Sequence, residues 1–418
     1  MTLTIAIIGT GIIGALAAFE AQRDGHRVIM IEPGPPGGPQ AASFGNAAWI
    51  YGGSLLPIST PGLWRQIPSY LADPLGPFAI RWRHLPRAAP WLWRFVRAGS
   101  TLDRIEACAR ARHALLEGTL GRYEAIARDA GLSRFLKREG LLFVYPARAD
   151  FLKEALGWRL RRERGLVWEE WDEAQLRLRE PALGPAYRFG VFYPDAGNLT
   201  DPGGFVAGLV EHVVRNGGTL VQARATGFDI RGGQLSAVLT DTGPIACDRA
   251  LICAGIAGSR LSREAGDTIP LESERGYHLV VANPACLPRR PLMPSDGKMG
   301  VTMTAAGLRI AGQVEIAGTK APPDWRRVDI LRQWLDRLVP GAAAPSAPVT
   351  RWMGHRPSTP DGLPCLGPAR ASRDILHGYG HGHSGLGMGP GSARLLVDLA
   401  TGRKPAIDPA PYGAERFR

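Results

Sequence analysis

The sequence predicts an α/β fold, α+β overall: a Rossmann-type nucleotide-binding domain into which an antiparallel-sheet domain is inserted. Three observations predict it. The first thirty-two residues read strand, GTGIIG, helix, strand, acid. Short buried-strand runs return in mid-chain as ALICAG (250–255) and near the end as DILHGYG (374–380). Between them lie the alternating stretches RGYHLVV, KMGVTMTAAGLRIAGQVEI and RWMGHRP. A parallel sheet interrupted in sequence by antiparallel pieces argues for an insertion, not for two domains in series. Residues 1–60, 197–268 and 355–418 are assigned to the nucleotide domain. Residues 61–196 and 269–354 are assigned to a substrate domain with a helical cover.

Leu3 to Ile8 is an apolar, partly β-branched run, as expected of a strand buried on both faces. Gly9 permits the tight turn that follows, Gly11 lets backbone approach a pyrophosphate, and Gly14 lets the helix pack close to the strand. The helix Ile12 to Arg23 presents unpaired N–H groups and a positive dipole end at Ile12 and Ile13. Arg27 to Ile31 is a second buried strand ending on Glu32, where a carboxylate accepts hydrogen bonds from a ribose and repels a 2′-phosphate. The motif therefore reads as an adenine dinucleotide site that disfavours NADP.

The bulk numbers narrow the class. At 418 residues the chain has ample size for a core, and 45% apolar with 21% charged residues is a globular balance. No apolar run is long enough to span a bilayer, and the first one reads as a strand, not a signal peptide. The five cysteines, 108, 247, 253, 286 and 365, are scattered without a CxxC pair, which argues against structural zinc and a disulfide framework and fits a reducing cytoplasm. The net charge of +12 is almost all arginine, with lysine only at 137, 153, 298, 320 and 404. No nucleic-acid motif accompanies it.

A Gly/Pro-rich loop follows Glu32, and in it Ser43 and Asn46 are candidates to meet the pyrophosphate or ribityl chain. Residues 61–131 read as several helices. Within them, 78–100 mixes aromatics with arginines, as an interfacial membrane anchor would; Pro86 and Pro90 interrupt its amphipathic face and favour a packed surface helix. LLFVY (141–145) is a strand, 150–164 a basic helix, and 188–193 a strand. Pro202 opens a helix over 203–215 with Asp201 as N-cap. GGTLVQ is a strand, and Gly232-Gly233 turns a hairpin. Residues 326–338 are a helix, and a glycine-rich loop feeds a final helix over about 389–401. There is no internal repeat.

The chain leaves regular β–α alternation after its second strand, unlike an NAD domain. An extended FAD instead needs distant segments at its flavin end. The Ala254-Gly255 turn and the run Gly382, His383, Ser384, Gly385, Leu386, Gly387 and Met388 suit that end, where a helix N-terminus stabilises negative charge on a reduced ring. His377, His381 and His383 have a zinc-like spacing but no partner acid or cysteine, so no metal is expected.

Taken together, IIGTGIIG…IE (7–32), SFGNAA (43–48), FYPDAGNLTDPGGF (192–205), LICAG (251–255), ERGYH (274–278), RPSTPDGLPCLG (356–367) and GHGHSGLGMGPGSA (380–393) resemble the FAD-dependent D-amino-acid dehydrogenase family, within the glycine oxidase, sarcosine oxidase and D-amino-acid oxidase superfamily. The pieces span nearly the whole chain. The resemblance implies a p-hydroxybenzoate-hydroxylase-like two-domain fold and oxidation of an amino acid at its Cα–N bond. It also implies non-covalent FAD: Asn46 stands about where some relatives attach FAD through histidine, and Cys365 is not in the sarcosine-oxidase cysteine motif. His383-Ser384-Gly385 departs from the family's usual glycine-threonine-leucine.

Such a reaction needs a carboxylate anchor, and Arg356, ending a strand before a rigid turn, is the candidate. The resemblance places Tyr277 and His278 in the cavity wall, with Tyr277 a candidate to bond the carboxylate and His278 either touching the amine or serving as a satisfied core histidine; His383 is a candidate to lie over the flavin as a base. The expected reaction is oxidation of a D-amino or imino acid, such as D-alanine, D-proline or a D-hydroxyproline, with electrons passing to a quinone or a partner protein. An oxygen-using oxidase of glycine, sarcosine or another N-methyl amino acid, and a non-catalytic flavin-binding subunit, are the alternatives. The expected location is cytoplasmic, with peripheral association at the inner membrane as an option.

Overall fold

A computed structural model describes residues 1–61, 76–344 and 347–418. The expected helical content of 62–75 lies outside the described residues. The nucleotide sheet has six strands in the order Thr219–Val221, Arg27–Ile31, Thr4–Ile8, Arg249–Ile252, Ile375–Tyr379 and Cys365–Pro368. All neighbours are parallel except the last pair. Ile7 pairs with Met30 on one side and Leu251 on the other. The strand buried at the start of the chain is thus central, which is why it carries no polar alternation. A three-stranded antiparallel sheet (225–246) follows the helix Pro202–Arg215. Gly232 and Gly233 turn its hairpin at φ 58° and 82°, the left-handed pair a two-residue turn requires. Asp201 caps that helix by accepting from Gly204 N–H at 2.9 Å.

The second sheet runs Val349–Ser358, Glu272–Val281, Gly307–Ile316, Gly300–Thr304, Leu292–Pro294, Leu141–Tyr145, Phe189–Tyr193 and Glu169–Trp171, with Phe78–Ile80 beside the end of Gly307–Ile316. It is not purely antiparallel as expected. Leu292–Pro294 pairs parallel with Leu141–Tyr145, and Phe78–Ile80 parallel with Val314–Ile316. Both are seams where separate excursions of the chain join one sheet, and no local pattern encodes such pairings. The helix Arg326–Leu338 packs Val328, Leu331 and Leu335 on this sheet.

The helical cover comprises Leu85–Ala98, Leu102–Leu116 and Thr119–Asp129, the last two divided at Gly118 (φ 63°). The Trp/Arg stretch divides its aromatics. Trp91 is buried and donates to Ser358 O at 3.1 Å, while Trp82 and Trp93 are exposed. The basic segment at 150–164 is two helices, Arg148–Lys153 and Ala155–Arg162.

The final helix starts at Gly385, four residues before the expected 389. Its glycines are packing positions. A Cβ at Gly387 would lie 2.9 Å from Leu116 Cδ2, at Gly389 2.7 Å from Leu16 Cδ1, and at Gly391 2.3 Å from Leu115 O. The glycine-dense run is therefore the first turns of a helix wedged between the dinucleotide helix and the cover.

Candidate active site

The nucleotide end is built around Gly9, Gly11 and Gly14. Gly9 has φ 94°, and a Cβ there would lie 2.7 Å from Cys253 O and 2.8 Å from Ala254 Cα, so the Ala254-Gly255 turn abuts the first turn of the motif. A Cβ on Gly14 would stand 1.9 Å from Gly9 O. At Gly11 the nearest atom is Ser43 Oγ, 3.6 Å away, leaving open space over the helix start. Ile12 N–H donates to Ser43 Oγ at 3.3 Å, so the predicted Ser43 stands at the helix N-terminus beside Ile12 and Ile13. Glu32 is buried; its Oε2 accepts from Thr10 N–H at 2.8 Å and its Oε1 from Gly34 N–H at 3.3 Å.

The loop at 43–48 crosses to the inserted sheet. Asn46 Nδ2 donates to His383 O at 3.4 Å, and its Oδ1 accepts from Ala48 N–H at 2.9 Å. Arg309, which the sequence reading missed, donates from Nη1 to both Phe44 O and Asn46 O at 3.0 Å. It is buried, its Nε has no partner among the described residues, and burial pushes its pKa down to about 10. Gly45 leaves room for Trp352, whose ring carbon would lie 1.8 Å from a Cβ. His278 stacks on Trp352 at 5.1 Å, with Nδ1 3.3 Å from Gly45 O. Burial and then Arg309 push its pKa down to about 3, so it is neutral and its Nδ1–H donates to Gly45 O. The structure sets it as a wall of this loop.

At the other end of the candidate site, Gly382–Ser384 is a 3₁₀ turn leading into the final helix. No acid lies in that helix's first turn, so its positive end is unopposed by its own side chains. Leu386 and Met388 are buried in the core; Leu386 O accepts from Tyr123 OH and Gly387 O from Thr119 Oγ1. Arg112, also missed, is buried here. It donates to Ser54 O at 2.8 Å, Gly362 O at 2.6 Å and Ser384 Oγ at 2.7 Å. His383 opens onto the cleft. Crowding by protein and then the charges of Arg112 and Arg356 push its pKa down. The three histidines do separate things. His381 Nε2 pairs with Ser392 Oγ, and His377 bridges Asp267 and Ser262. Among the described residues no cluster suited to a metal ion occurs.

Arg356 lies directly opposite Glu274 in the antiparallel register. Its guanidinium crosses Gly276, where a Cβ would meet Nη2 at 2.3 Å, and donates to Gln313 O at 2.8 Å and Gly312 O at 3.2 Å. Gln313 has φ 59° at a break in register between the strands, so the bulge aims its carbonyl. Glu274, Gly276 and His278 share the face that Arg356 covers. Tyr277 is on the other face. Its OH donates to Glu315 Oε2 at 2.5 Å and accepts from Asp324 N–H at 3.0 Å, and its ring packs under the helix Arg326–Leu338. The structure brings Arg356 and His383 together, and does not bring Tyr277 to them. Period-two alternation along 274–278 puts Tyr277 opposite to Glu274 and His278, and the pairing of Glu274 with Arg356 sets which of the two faces meets the site.

The residues present fit a flavin dinucleotide. The open cradle at Gly11, two helix N-termini without first-turn acids, and a buried Arg309 Nε, unpartnered among the described residues, beside the connecting loop form a path for an extended, anionic group.

Comparison with known proteins agrees. Residues 4–399 match the family model described as FAD dependent oxidoreductase (DAO). A protein named D-amino-acid oxidase from Bradyrhizobium diazoefficiens is 47% identical over 415 residues, covering 99% of this chain and 98% of its own. D-amino acid dehydrogenase 2 from Ralstonia nicotianae is 29% identical, covering 99% of this chain and all of its own. The crystal structure of glycine oxidase from Geobacillus kaustophilus superposes with a TM-score of 0.75 at 20% identity, covering 99% of each chain. That of L-proline dehydrogenase from P. horikoshii has a TM-score of 0.75 at 17% identity, covering 100% of this chain and 98% of its own. These two solved structures share the fold.

Proposed function

The chain belongs to the DAO family of FAD-dependent oxidoreductases, and on that premise we propose that it oxidises a D-amino or imino acid at the Cα–N bond. The observation that carries this reading is Arg356: a half-buried guanidinium held by two backbone carbonyls, facing the glycine turn that bears His383. Arg356 would take the substrate carboxylate with its remaining N–H groups. Gly9, Gly11, Gly14 and Glu32 would hold the adenosine and pyrophosphate, Ser43 and Asn46 the middle, and the Gly382–Gly385 turn the ring. Bound FAD supplies the acceptor for the hydride leaving Cα, and the imine product hydrolyses in water to a 2-oxo acid and ammonia or amine. His383, kept neutral, lines the site without adding charge. Non-covalent attachment is supported by Cys365, whose thiol is fully buried in the sheet with its pKa pushed up to about 12.

Division into a nucleotide domain (1–60, 197–268, 355–418) and a substrate domain (61–196, 269–354) belongs to the same reading. The strand Val349–Ser358 runs through the boundary at 354 and ties the two together. Among the described residues no helix is long and apolar enough to cross a membrane. A cytoplasmic protein with peripheral attachment through Trp82 and Trp93 is the corresponding placement.

Electrons pass to a quinone or partner protein on this reading. The name of the 47% identical relative favours a second one, dioxygen as acceptor. Anaerobic bleaching of bound flavin by a panel of D-amino acids, hydroxyproline isomers and N-methyl amino acids tests the oxidation. Peroxide formation in air separates the acceptors. A flavin that no panel member bleaches would mark a non-catalytic subunit.

A further inference from the structure

The cavity between the inserted sheet and the glycine turn is lined by Glu274, Ser358, Thr359, Arg112, His381 and His383. Two of these carry buried polar atoms without a hydrogen-bond partner among the described residues. Glu274 is 4% exposed and its Oε2 has no hydrogen-bond partner among the described residues; Ser358 Oγ, at 5% residue exposure, also has none. The Ser358 hydroxyl is the nearest donor and lowers the Glu274 pKa, but it does not close a hydrogen bond of good geometry among the described residues, so the buried carboxylate is under-satisfied, which native proteins rarely leave so. The guanidinium of Arg356 does not supply that donor, since its hydrogen bonds go to Gly312 O and Gln313 O.

We propose that Glu274 is the amine-recognition residue of this site, accepting hydrogen bonds from the substrate's α-ammonium or imino nitrogen while Arg356 holds the carboxylate. The assignment rests on the oxidation reading above. The register carries it. Glu274 and Arg356 are direct cross-strand partners on one face, and such pairs have Cβ atoms about 4.5–5.5 Å apart. The guanidinium reaches from there over Gly276, the next residue on the same face, so an α-amino acid, whose opposite charges lie two bonds apart, can turn its ammonium to Glu274 and its carboxylate to Arg356. The charges then close into an alternating set, and the empty acceptor on Glu274 gains its donor. Burial raises the Glu274 pKa against the pull of Arg356, so the residue also takes up a proton more readily than an exposed acid. The Ser358 hydroxyl, which stabilises the ionised form of Glu274, sits beside that carboxylate and helps to orient it.

The test compares two ligands on the FAD-loaded protein. One is the amino acid that bleaches the wild type fastest, its dissociation constant taken from the concentration dependence of anaerobic bleaching. The other is the 2-oxo acid with the same side chain, titrated by its perturbation of the oxidised flavin spectrum. Glu274→Gln is expected to weaken the amino acid by about 10–100-fold and the 2-oxo acid by less than about 3-fold, with Glu274→Asp recovering part of the loss. Equal weakening of both ligands, unchanged amino-acid affinity, or loss of FAD or melting temperature in both variants would overturn the assignment and leave the oxidation reading intact. A wild type that no amino acid bleaches overturns both.

Discussion

Arg112 Nη2 donates to Ser384 Oγ at 2.7 Å, joining the helical cover to the N-cap of the final helix across 272 residues of sequence. The same guanidinium satisfies the carbonyls of Ser54 and Gly362, so one fork orders three loops around the cleft. Arg112→Met is expected to leave those oxygens unsatisfied and destabilise the protein by about 2–4 kcal/mol. Arg112→Lys should recover little, because an ammonium cannot serve three divergent acceptors. Denaturant melts of the two variants check this, with flavin content read alongside.

The glycines of the first turn should separate by role. Gly14→Ala puts a methyl group 1.9 Å from Gly9 O and is expected to prevent folding of the nucleotide domain. Gly11→Ala meets only Ser43 Oγ at 3.6 Å, so the chain should fold with near-normal melting temperature but retain little FAD after gel filtration. Equal flavin retention by Gly11→Ala and wild type would remove the pyrophosphate from that cradle.

Arg356→Ala removes the carboxylate anchor. Leaving a desolvated charge without its partner costs about 3–5 kcal/mol, so kcat/KM should fall by roughly 10²–10³-fold or more. Steady-state kinetics with unchanged kcat/KM would discard the anchor.

Tyr277→Phe is expected to do the opposite. It leaves Glu315 and the Asp324 N–H without the hydroxyl, and should lower stability by about 1–3 kcal/mol while KM stays within about 3-fold. A large rise in KM without loss of stability would return Tyr277 to the substrate.

Acid should attack the protein at Asp267. Burial opposes its ionisation, but His377, Arg418 and the Arg370 N–H outweigh burial and hold its carboxyl well below the usual range. A depressed folded pKa contributes stability above the unfolded value, about 3.9, and that stability is lost as pH falls through and below it. Asp267→Asn should therefore cost about 2–3 kcal/mol at pH 7, and the gap from wild type should narrow below pH 4. Melting curves from pH 7 to 3 measure it.

The nucleotide half was legible in the sequence because its signals are local. Gly9, Gly11, Gly14 and Glu32 lie within one β–α–β unit, and glycine spacing reports backbone constraints that act between neighbours. The family resemblance and Arg356 followed from contiguous motifs. The second sheet's parallel seams, the helical start at Gly385 and the roles of Arg112, Arg309 and Glu274 were not legible. Each of those three side chains depends on a partner far along the chain: Ser384 for Arg112, Phe44 and Asn46 for Arg309, Arg356 for Glu274. Tyr277 and His278, adjacent in sequence, point to opposite faces of one strand, and only the pairing of Glu274 with Arg356 decides which face looks into the cavity. The sequence by itself determined a dinucleotide site and a family. Tertiary structure decided which buried charges meet, because their solvation and their partners exist only once the two sheets and the cover have closed around the cleft.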